Sequence, residues 1–172
     1  MKDFMKEAQF ISVIDTESDS LNIGVTFSIV DYEKECNKQA GYANIQLFNK
    51  YRSNSWSELI DNADSISGDI LEVIEILSKA SDNEYIDGLI AVLDNIQIEE
   101  EYRGKGFCKK FTNKIIEQLK FINANYIGLI PARITERGVV QNDKSIIEFY
   151  IKNGFKSLSR RVDGNVVMGK SL

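Results

Sequence analysis

The sequence has 172 residues but no histidine, one proline and two cysteines. Without histidine, the chain can form neither a Ser-His-Asp or Cys-His nucleophile pair nor a histidine-ligated zinc site. Cys36 and Cys108 are far apart and lack metal-ligand spacing. Any acid–base chemistry must therefore use carboxylate, tyrosine, lysine or cysteine side chains.

Long apolar runs are absent too. No stretch of about 18 uncharged apolar residues predicts a membrane span. Residues 1–10 carry two lysines and two acids and do not have the pattern of a secretory signal. With so few cysteines, we expect a cytoplasmic protein. The length and composition predict one domain, residues 1–172, with a core of its own.

An overall positive charge is also lacking, since the net charge is −5. A nucleic-acid partner is therefore not expected. The charge is nevertheless uneven, because residues 57–101 are rich in acids with Lys79 as their only base, whereas basic residues cluster from Arg103 to Lys114. Either these are two solvated faces of opposite sign, or the second half holds an anion site and the first a wall that attracts cations.

Hydrophobic periodicity predicts alternating strands and helices. We expect strands at 9–14, 21–30, 40–48, 85–98 and 125–130, a short helical turn at 53–60, helices at 66–80, 103–122 and 142–153, and a hairpin at 155–170. Gly154 should cap the last helix in a left-handed conformation, and Asp163-Gly164 should form the hairpin turn. This order predicts a mixed α/β sheet with a crossover after residue 98.

Two helices carry clear apolar stripes. In the helix at 66–80 the stripe comprises Ile70, Val73, Ile74 and Leu77. In the helix that follows residue 103 it comprises Phe107, Phe111, Ile115 and Leu119. Each helix is expected to pack on the sheet through its stripe.

A glycine turn lies between the long strand and the second of these helices, in the segment IEEEYRGKGFC. Gly104 and Gly106 permit positive φ, and the backbone N–H groups at such a helix start bind anions. Arg103, Lys105 and Lys109 add positive charge. These features favour a phosphate or pyrophosphate ligand, although a helix start without any ligand is an alternative.

Two common phosphate-binding loops do not fit this turn. A Walker A loop requires G-x-x-x-x-G-K-[ST], which is absent. A dinucleotide-binding fingerprint requires a third glycine where Lys109 stands, and an acid about twenty residues later, where none occurs. A nucleotide-binding domain with another loop remains open as a hypothesis.

The turn resembles the coenzyme A motif of the GNAT superfamily of acyl-CoA N-acyltransferases, [QR]-x-x-G-x-[GA]. Arg103 and Gly106 match it, whereas Cys108 replaces the usual glycine or alanine and Glu100 stands where proline is frequent. Cys108 is small enough to serve as an apolar filler.

A second GNAT signature, N-x-x-A-x-x-[LF]-Y-x-x-x-G-F, resembles residues 143–155. Phe149, Tyr150, Gly154 and Phe155 match, and Asp143 occupies the asparagine position. Together the two motifs extend the resemblance over residues 85–170. It implies a mixed, mostly antiparallel central sheet of about six to seven strands flanked by helices, the GNAT fold. The N-terminal half is atypical, because three predicted strands come first where the family usually places two helices after strand one.

The resemblance also implies a cofactor site, with acetyl-CoA as the acyl donor. Backbone groups around Ile96 and Ile98 would pair with the pantetheine arm and bind the oxyanion. The N–H groups of Gly104, Gly106, Phe107 and Cys108 would bind the pyrophosphate, beside Arg103, Lys105 and Lys109. Asp143 would belong to the same site. No metal is implied.

Tyr150 matches the tyrosine that commonly protonates the leaving thiolate in this family, although it could instead be a core residue. Asp94 is the candidate base, because strand alternation would place it on one face with Ile90, Val92, Ile96 and Ile98. A carboxylate among apolar neighbours has a raised pKa. The alternative for Asp94 is a bulge or turn with Asn95. Glu72, Glu75 and Asp87 could attract a cationic acceptor or face solvent.

We therefore expect an N-acetyltransferase that acts on a primary amine of a small molecule or a protein. The alternative is an inactive module that binds acyl-CoA as a regulator. Neither the acceptor nor the acyl length follows from the sequence. A homodimer is compatible with the resemblance, since dimers are common among such domains.

Overall fold

The computed structural model describes residues 5–14, 20–31, 36–135, 138–141, 143–160 and 165–172. The strands are β1 Met5–Ile14, β2 Ser20–Asp31, β3 Cys36–Asn49, β4 Leu89–Ile98, β5 Ala124–Leu129, β6 Ala132–Thr135, β7 Gly138–Gln141, β8 Lys156–Arg160 and β9 Val166–Ser171. The helices are α1 Trp56–Ile66, α2 Gly68–Ala80, α3 Phe107–Phe121 and α4 Lys144–Lys152, with a 3₁₀ turn at Glu100–Tyr102.

Seven strands form one twisted layer in the order β1-β2-β3-β4-β5-β9-β8, and β6 pairs with β7 separately. Every neighbouring pair in the large sheet is antiparallel except β4 and β5, which are parallel. The parallel pair requires a crossover, and α3 supplies it. The predicted mixed, mostly antiparallel sheet is confirmed.

The N-terminal half has three strands followed by two helices. Sequence analysis predicted only a short turn at 53–60, whereas α1 continues to Ile66. Its first turn is a capping arrangement, because Ser55 Oγ accepts from Glu58 N and Glu58 Oε2 accepts from Asn54 N. Ser67 then ends α1 and caps α2, accepting from Ile70 N at 3.2 Å. The two helices precede β4 instead of following β1.

The helices pack on opposite faces of the sheet. The predicted stripe of α2 is buried with α1 against Ile90 and Val92 of β4. On the other face, Phe111, Ile115 and Leu119 of α3 are buried, and α4 contributes Tyr150 to the same core. Both predicted stripes are therefore confirmed, although Phe107 at the start of α3 is only partly buried.

Several predicted boundaries shift by a few residues. β4 begins at Leu89 rather than 85, because Gly88 has φ 74° and Leu89 N donates to Asn125 Oδ1 at 3.2 Å. The helix expected from 103 begins at Phe107, after two glycines with positive φ. Gly154 has φ 84° after α4, as predicted.

Two hairpins complete the description. The predicted hairpin at 155–170 is confirmed by antiparallel pairing of β8 with β9, while its expected turn, Asp163-Gly164, lies outside the described residues. The β6–β7 hairpin was not predicted. None of the described helices is long and apolar enough to cross a membrane.

Candidate active site

The large sheet divides where β4 and β5 separate. Pairing between them ends at Leu93 and Leu129, whereas β4 continues beside β3 as far as Ile98. Among the described strands, the stretch Asp94–Ile98 therefore has a neighbour, β3, on one side only. A cavity of about 220 Å³ lies at the separation, bounded by β4, β5, the first turns of α2, and α4.

One extra residue in β4 lies at this point. Asn44 of β3 pairs with Asn95, and the next residue, Ile45, pairs with Leu93, so Asp94 has no partner across the ladder. This is a β-bulge, and it reverses the alternation of the side chains that follow. The prediction that Ile90, Val92, Asp94, Ile96 and Ile98 share one face is wrong. Ile90 and Val92 face α2, whereas Ile96 and Ile98 lie on the α3 side.

Asp94 lines the cavity at its solvent-exposed mouth. Partial desolvation by the cavity walls raises the pKa of its carboxyl, and the charge of Asp69 raises it further. A hydrogen bond from Asn95 Nδ2 to Asp94 Oδ2, 3.3 Å long, opposes the shift. The bulge weighed as the alternative for Asp94 is therefore present, and the role of Asp94 as a base stays a prediction.

Tyr150 lines the same cavity from α4 and is only 4% exposed. The rings of Phe149 and Phe155 lie edge-on to it, each with its centroid 5.2 Å away. Burial, followed by the nearby Cys108 thiol, raises the pKa of its hydroxyl above the ordinary value. Tyr150 is therefore protonated at neutral pH, as a proton donor must be.

The glycine turn follows the free end of β4. Gly104 has φ 71° and Gly106 has φ 76°, and a Cβ at either position would meet no atom within 4 Å. Gly106 starts α3 without a side-chain cap. Among the described residues, neither glycine donates its N–H to another backbone group. Open backbone with positive φ at a helix start is suited to anion binding.

The basic residues predicted for this site differ in their surroundings. Arg103 Nε donates to the carbonyl of Ile98 at 2.9 Å, which ties the turn to the end of β4. Lys105 Nζ donates to Glu101 O at 2.7 Å and lies over the ring of Tyr102. The Lys109 side chain is exposed.

The remaining predicted cofactor residues have structural contacts. Phe107 packs edge-on against Tyr102, with centroids 5.7 Å apart. Burial raises the pKa of the Cys108 thiol, which keeps it neutral and favours its role as an apolar filler. The carboxylate of Asp143 caps α4 by accepting from Ser145 N and Ile146 N at 2.8 and 3.3 Å.

Asp69 is a cavity residue that sequence analysis did not assign to the site. It lies in the first turn of α2 and lines the cavity opposite the bulge. Of the acids considered earlier, Glu72 accepts hydrogen bonds from Asn165, and neither Glu75 nor Asp87 lines the cavity. No local sequence signal marks Asp69, because the packing of α2 on the sheet is what brings it to the cavity.

Solved structures that are similar in fold include acetyltransferases. The chain is similar to an agmatine N-acetyltransferase at 9% identity, over 86% of this chain and 76% of that one, with a TM-score of 0.54. A mosquito arylalkylamine N-acetyltransferase-like protein is 11% identical over 86% of this chain and 74% of that one, with a TM-score of 0.52. A GNAT-family acetyltransferase of Listeria monocytogenes 4b F2365 is 17% identical over 87% of this chain, with a TM-score of 0.52. The match covers 64% of that structure, so the chain spans less than two thirds of its length. No protein-family model and no curated protein matches the sequence.

Proposed function

The chain has the fold of the GNAT acetyltransferases, and on this premise we propose that it is an acyl-CoA-dependent N-acyltransferase. It would transfer an acetyl group from acetyl-CoA to a primary amine, by direct attack while donor and acceptor are bound together. The observation that carries the proposal is the cavity at the β4–β5 separation, where Asp94 and Tyr150 meet. One is a carboxylate with a raised pKa and the other a protonated hydroxyl, the two groups that this reaction requires.

The residues of the chain fit coenzyme A. The end of β4 from Asp94 to Ile98 has no strand partner on the β5 side among the described residues, which supports pairing with a pantetheine amide. Gly104 and Gly106 leave open the space that a pyrophosphate would need, and α3 begins there. Lys109, exposed in the first turn of α3, would add positive charge. The bound donor would supply the activated thioester.

The residues can then move the protons in a balanced way. Asp94 would take one proton from the bound ammonium, which leaves the neutral amine that attacks the acyl carbon. The new C–N bond forms as the C–S bond breaks, and Tyr150 would donate its proton to the departing sulfur. The second nitrogen proton and the proton held by Asp94 pass to solvent, from which Tyr150 is reprotonated. Backbone N–H groups of β4, between the bulge and Ile98, would stabilise the oxyanion.

The test of this proposal is thermal unfolding with and without acetyl-CoA, with ATP and NAD as controls. A ligand that binds only the folded state adds about 2.7 kcal/mol to the free energy of unfolding at a hundredfold excess over its Kd. We expect stabilisation by acetyl-CoA alone. No shift at millimolar acetyl-CoA would remove the proposal, and a larger shift with ATP or NAD would favour a nucleotide-binding domain.

A further inference from the structure

The bulge in β4 brings two consecutive polar side chains together. In an uninterrupted strand, neighbouring side chains point to opposite faces of the sheet and cannot bond to each other. Leu93 and Ile96 both lie on the α3 side, so two residues, Asp94 and Asn95, stand between them where a regular strand has one. Both of these residues line the cavity, and Asn95 Nδ2 donates to Asp94 Oδ2 at 3.3 Å. The extra residue therefore places an amide beside the carboxylate.

The other end of this amide shows which contact fixes its orientation. Asn95 is half-buried, and its Oδ1 is buried and accepts no hydrogen bond from the described residues. A buried carbonyl oxygen without a donor lowers the stability of a fold, whereas an apolar side chain of the same shape does not. Rotating the amide by half a turn would place Oδ1 against the Asp94 carboxylate, where two acceptors repel each other. The orientation of Asn95 is therefore determined by its bond to Asp94.

The Asp94 carboxylate has few other restraints. Asp94 is exposed at the mouth of the cavity, and the bulge leaves it without a partner in the ladder with β3. Among the described residues, Asn95 is the one that donates a hydrogen bond to this carboxylate. An aspartate side chain has several rotamers, and a base works only within hydrogen-bond reach of the proton that it takes. A carboxylate at this mouth therefore needs a contact that selects one orientation.

We propose that Asn95 is a positioning residue for the acyl transfer, because its side-chain amide holds the Asp94 carboxylate in the orientation from which it takes a proton from the acceptor amine. The inference rests on the proposed acyltransferase function and adds a residue to the same site. The bond also lowers the pKa of Asp94, against desolvation and the charge of Asp69, which raise it. Asp69 from α2 and Tyr150 from α4 are the other titratable side chains that line the cavity among the described ones, and β5 contributes apolar side chains.

The test is Asn95→Leu, which keeps a side chain of similar shape and removes the amide. The pH dependence of kcat is measured with acetyl-CoA and the fastest acceptor among butylamine, benzylamine and a lysine-containing peptide. We expect kcat at high pH, where Asp94 is ionised, to fall by about tenfold to a hundredfold because the base is less well oriented. Loss of the donor raises the pKa of Asp94, so the fall of kcat at acidic pH should move to higher pH. The midpoint of urea unfolding should be unchanged or higher, because a buried oxygen without a donor is removed.

Asn44→Leu is the matched control. Asn44 is the ladder partner of Asn95 on β3 and does not line the cavity. The same substitution at this position should leave kcat and its pH dependence as in the wild type.

The outcomes separate this inference from the proposed function. Wild-type kcat and pH dependence in Asn95→Leu would overturn the inference while the acyltransferase stands. A loss of kcat without a shift along the pH axis would overturn it too, since a structural defect produces that result. If the wild type acetylates none of the three amines, the proposed function fails, and carbon NMR titration of the Asp94 carboxyl decides separately whether Asn95 holds it. A higher pKa of Asp94 in Asn95→Leu than in the wild type supports the contact, and an equal pKa overturns it.

Discussion

A single inserted residue in β4 decides on which face of the sheet the following side chains lie. If the strand alternated without interruption, Ile96 would face α2, and the end of β4 would present the opposite set of backbone groups to the cavity. The bulge at Asp94 reverses the alternation, so Ile96 and Ile98 pack on the α3 side. The chemistry proposed here therefore depends on register as well as on residue type.

Asp94 can act as a base only when ionised, and its pKa is raised by desolvation and then by Asp69. A raised pKa means that the carboxyl keeps its proton to higher pH. At a saturating amine acceptor, kcat should therefore fall at acidic pH, over a range higher than that of an ordinary aspartate, near about 4. Asp69→Asn removes the like charge and should lower the pKa of Asp94, so the fall of kcat at acidic pH (the acidic limb of the profile) should move to lower pH. Asp69, Asp94 and Tyr150 are the titratable residues among the described ones that line the cavity.

The measurement is the pH dependence of kcat, with Asp82→Asn as the control because Asp82 is exposed and does not line the cavity. In this control, the fall of kcat at acidic pH should occur at the same pH as in the wild type. An acidic limb at the same pH in Asp69→Asn and in the wild type would argue against Asp94 as the group that titrates.

Tyr150→Phe removes the proposed proton donor and keeps the ring between Phe149 and Phe155. General-acid catalysis contributes about 10²–10⁴-fold, so we expect kcat to fall by that factor while acetyl-CoA still stabilises the fold. Because burial keeps the hydroxyl protonated, no basic limb from Tyr150 is expected near neutral pH. Steady-state kinetics together with thermal unfolding measures both effects.

Tyr85→Phe is the matched control, since Tyr85 is 77% exposed before β4 and lies outside the cavity. Unchanged kcat in Tyr150→Phe would exclude the tyrosine from proton transfer. A wild-type protein that binds acetyl-CoA but turns over no amine would favour the regulatory module.

Among the elements, those with strong local signals could be predicted from sequence. The stripe from Ile70 to Leu77 has helical period, and Gly154 follows α4 with the positive φ that its lack of a side chain allows. The glycine turn could be predicted because glycine is the residue that adopts positive φ most readily, and two glycines precede the helix. These features depend on neighbours within one or two turns of chain.

Other features depend on contacts distant in sequence and could not be predicted. The bulge at Asp94 is defined by the partner strand, since Asn44 and Ile45 pair around it. The cavity position of Asp69 depends on how α2 packs across β4 and β5, and a solvated helix face has the same local pattern. α1 was underestimated because its apolar face, Leu59 and Ala63, is short and polar residues surround it.

The start of α3 provides a test at the scale of elements. Gly106→Ala would place a side chain on a residue with φ 76°, which costs about 1–2 kcal/mol even though the space around it is open. The free energy of unfolding should fall by that amount, and stabilisation by acetyl-CoA should fall as well, because the turn changes its backbone conformation. Urea unfolding with and without acetyl-CoA measures both changes.

Gly68→Ala is the control for the same substitution at a helix start. Gly68 has no positive φ, and its Cβ would meet no atom within 4 Å, so stability should be unchanged or rise by about 0.4–1 kcal/mol. Equal changes in the free energy of unfolding for Gly106→Ala and Gly68→Ala would mean that the positive φ of residue 106 does not destabilise the alanine variant.

Across the whole molecule, the sheet separates two cores that meet at the cavity. The α1–α2 side carries Asp69, and the α3–α4 side carries the glycine turn and Tyr150. In the proposed enzyme, acceptor recognition and donor chemistry would therefore depend on different layers. A change in how one layer packs should affect one substrate more than the other.

Gly128 of β5 is the place where this can be tested, because α2 lies close to the sheet there. A Cβ on Gly128 would lie 2.8 Å from Val73 Cγ1 and 3.1 Å from Leu77 Cδ1. Gly128→Ala should therefore move α2 outward and lower the free energy of unfolding by about 1–3 kcal/mol. Because the first turns of α2 line the cavity, KM for the amine acceptor should rise more than KM for acetyl-CoA. Val73→Ala removes the methyl group that the new Cβ meets, so the double variant should be more stable than the sum of the single changes predicts. Urea unfolding of the four proteins measures this coupling, and strict additivity would show that the contact between α2 and β5 does not position the helix.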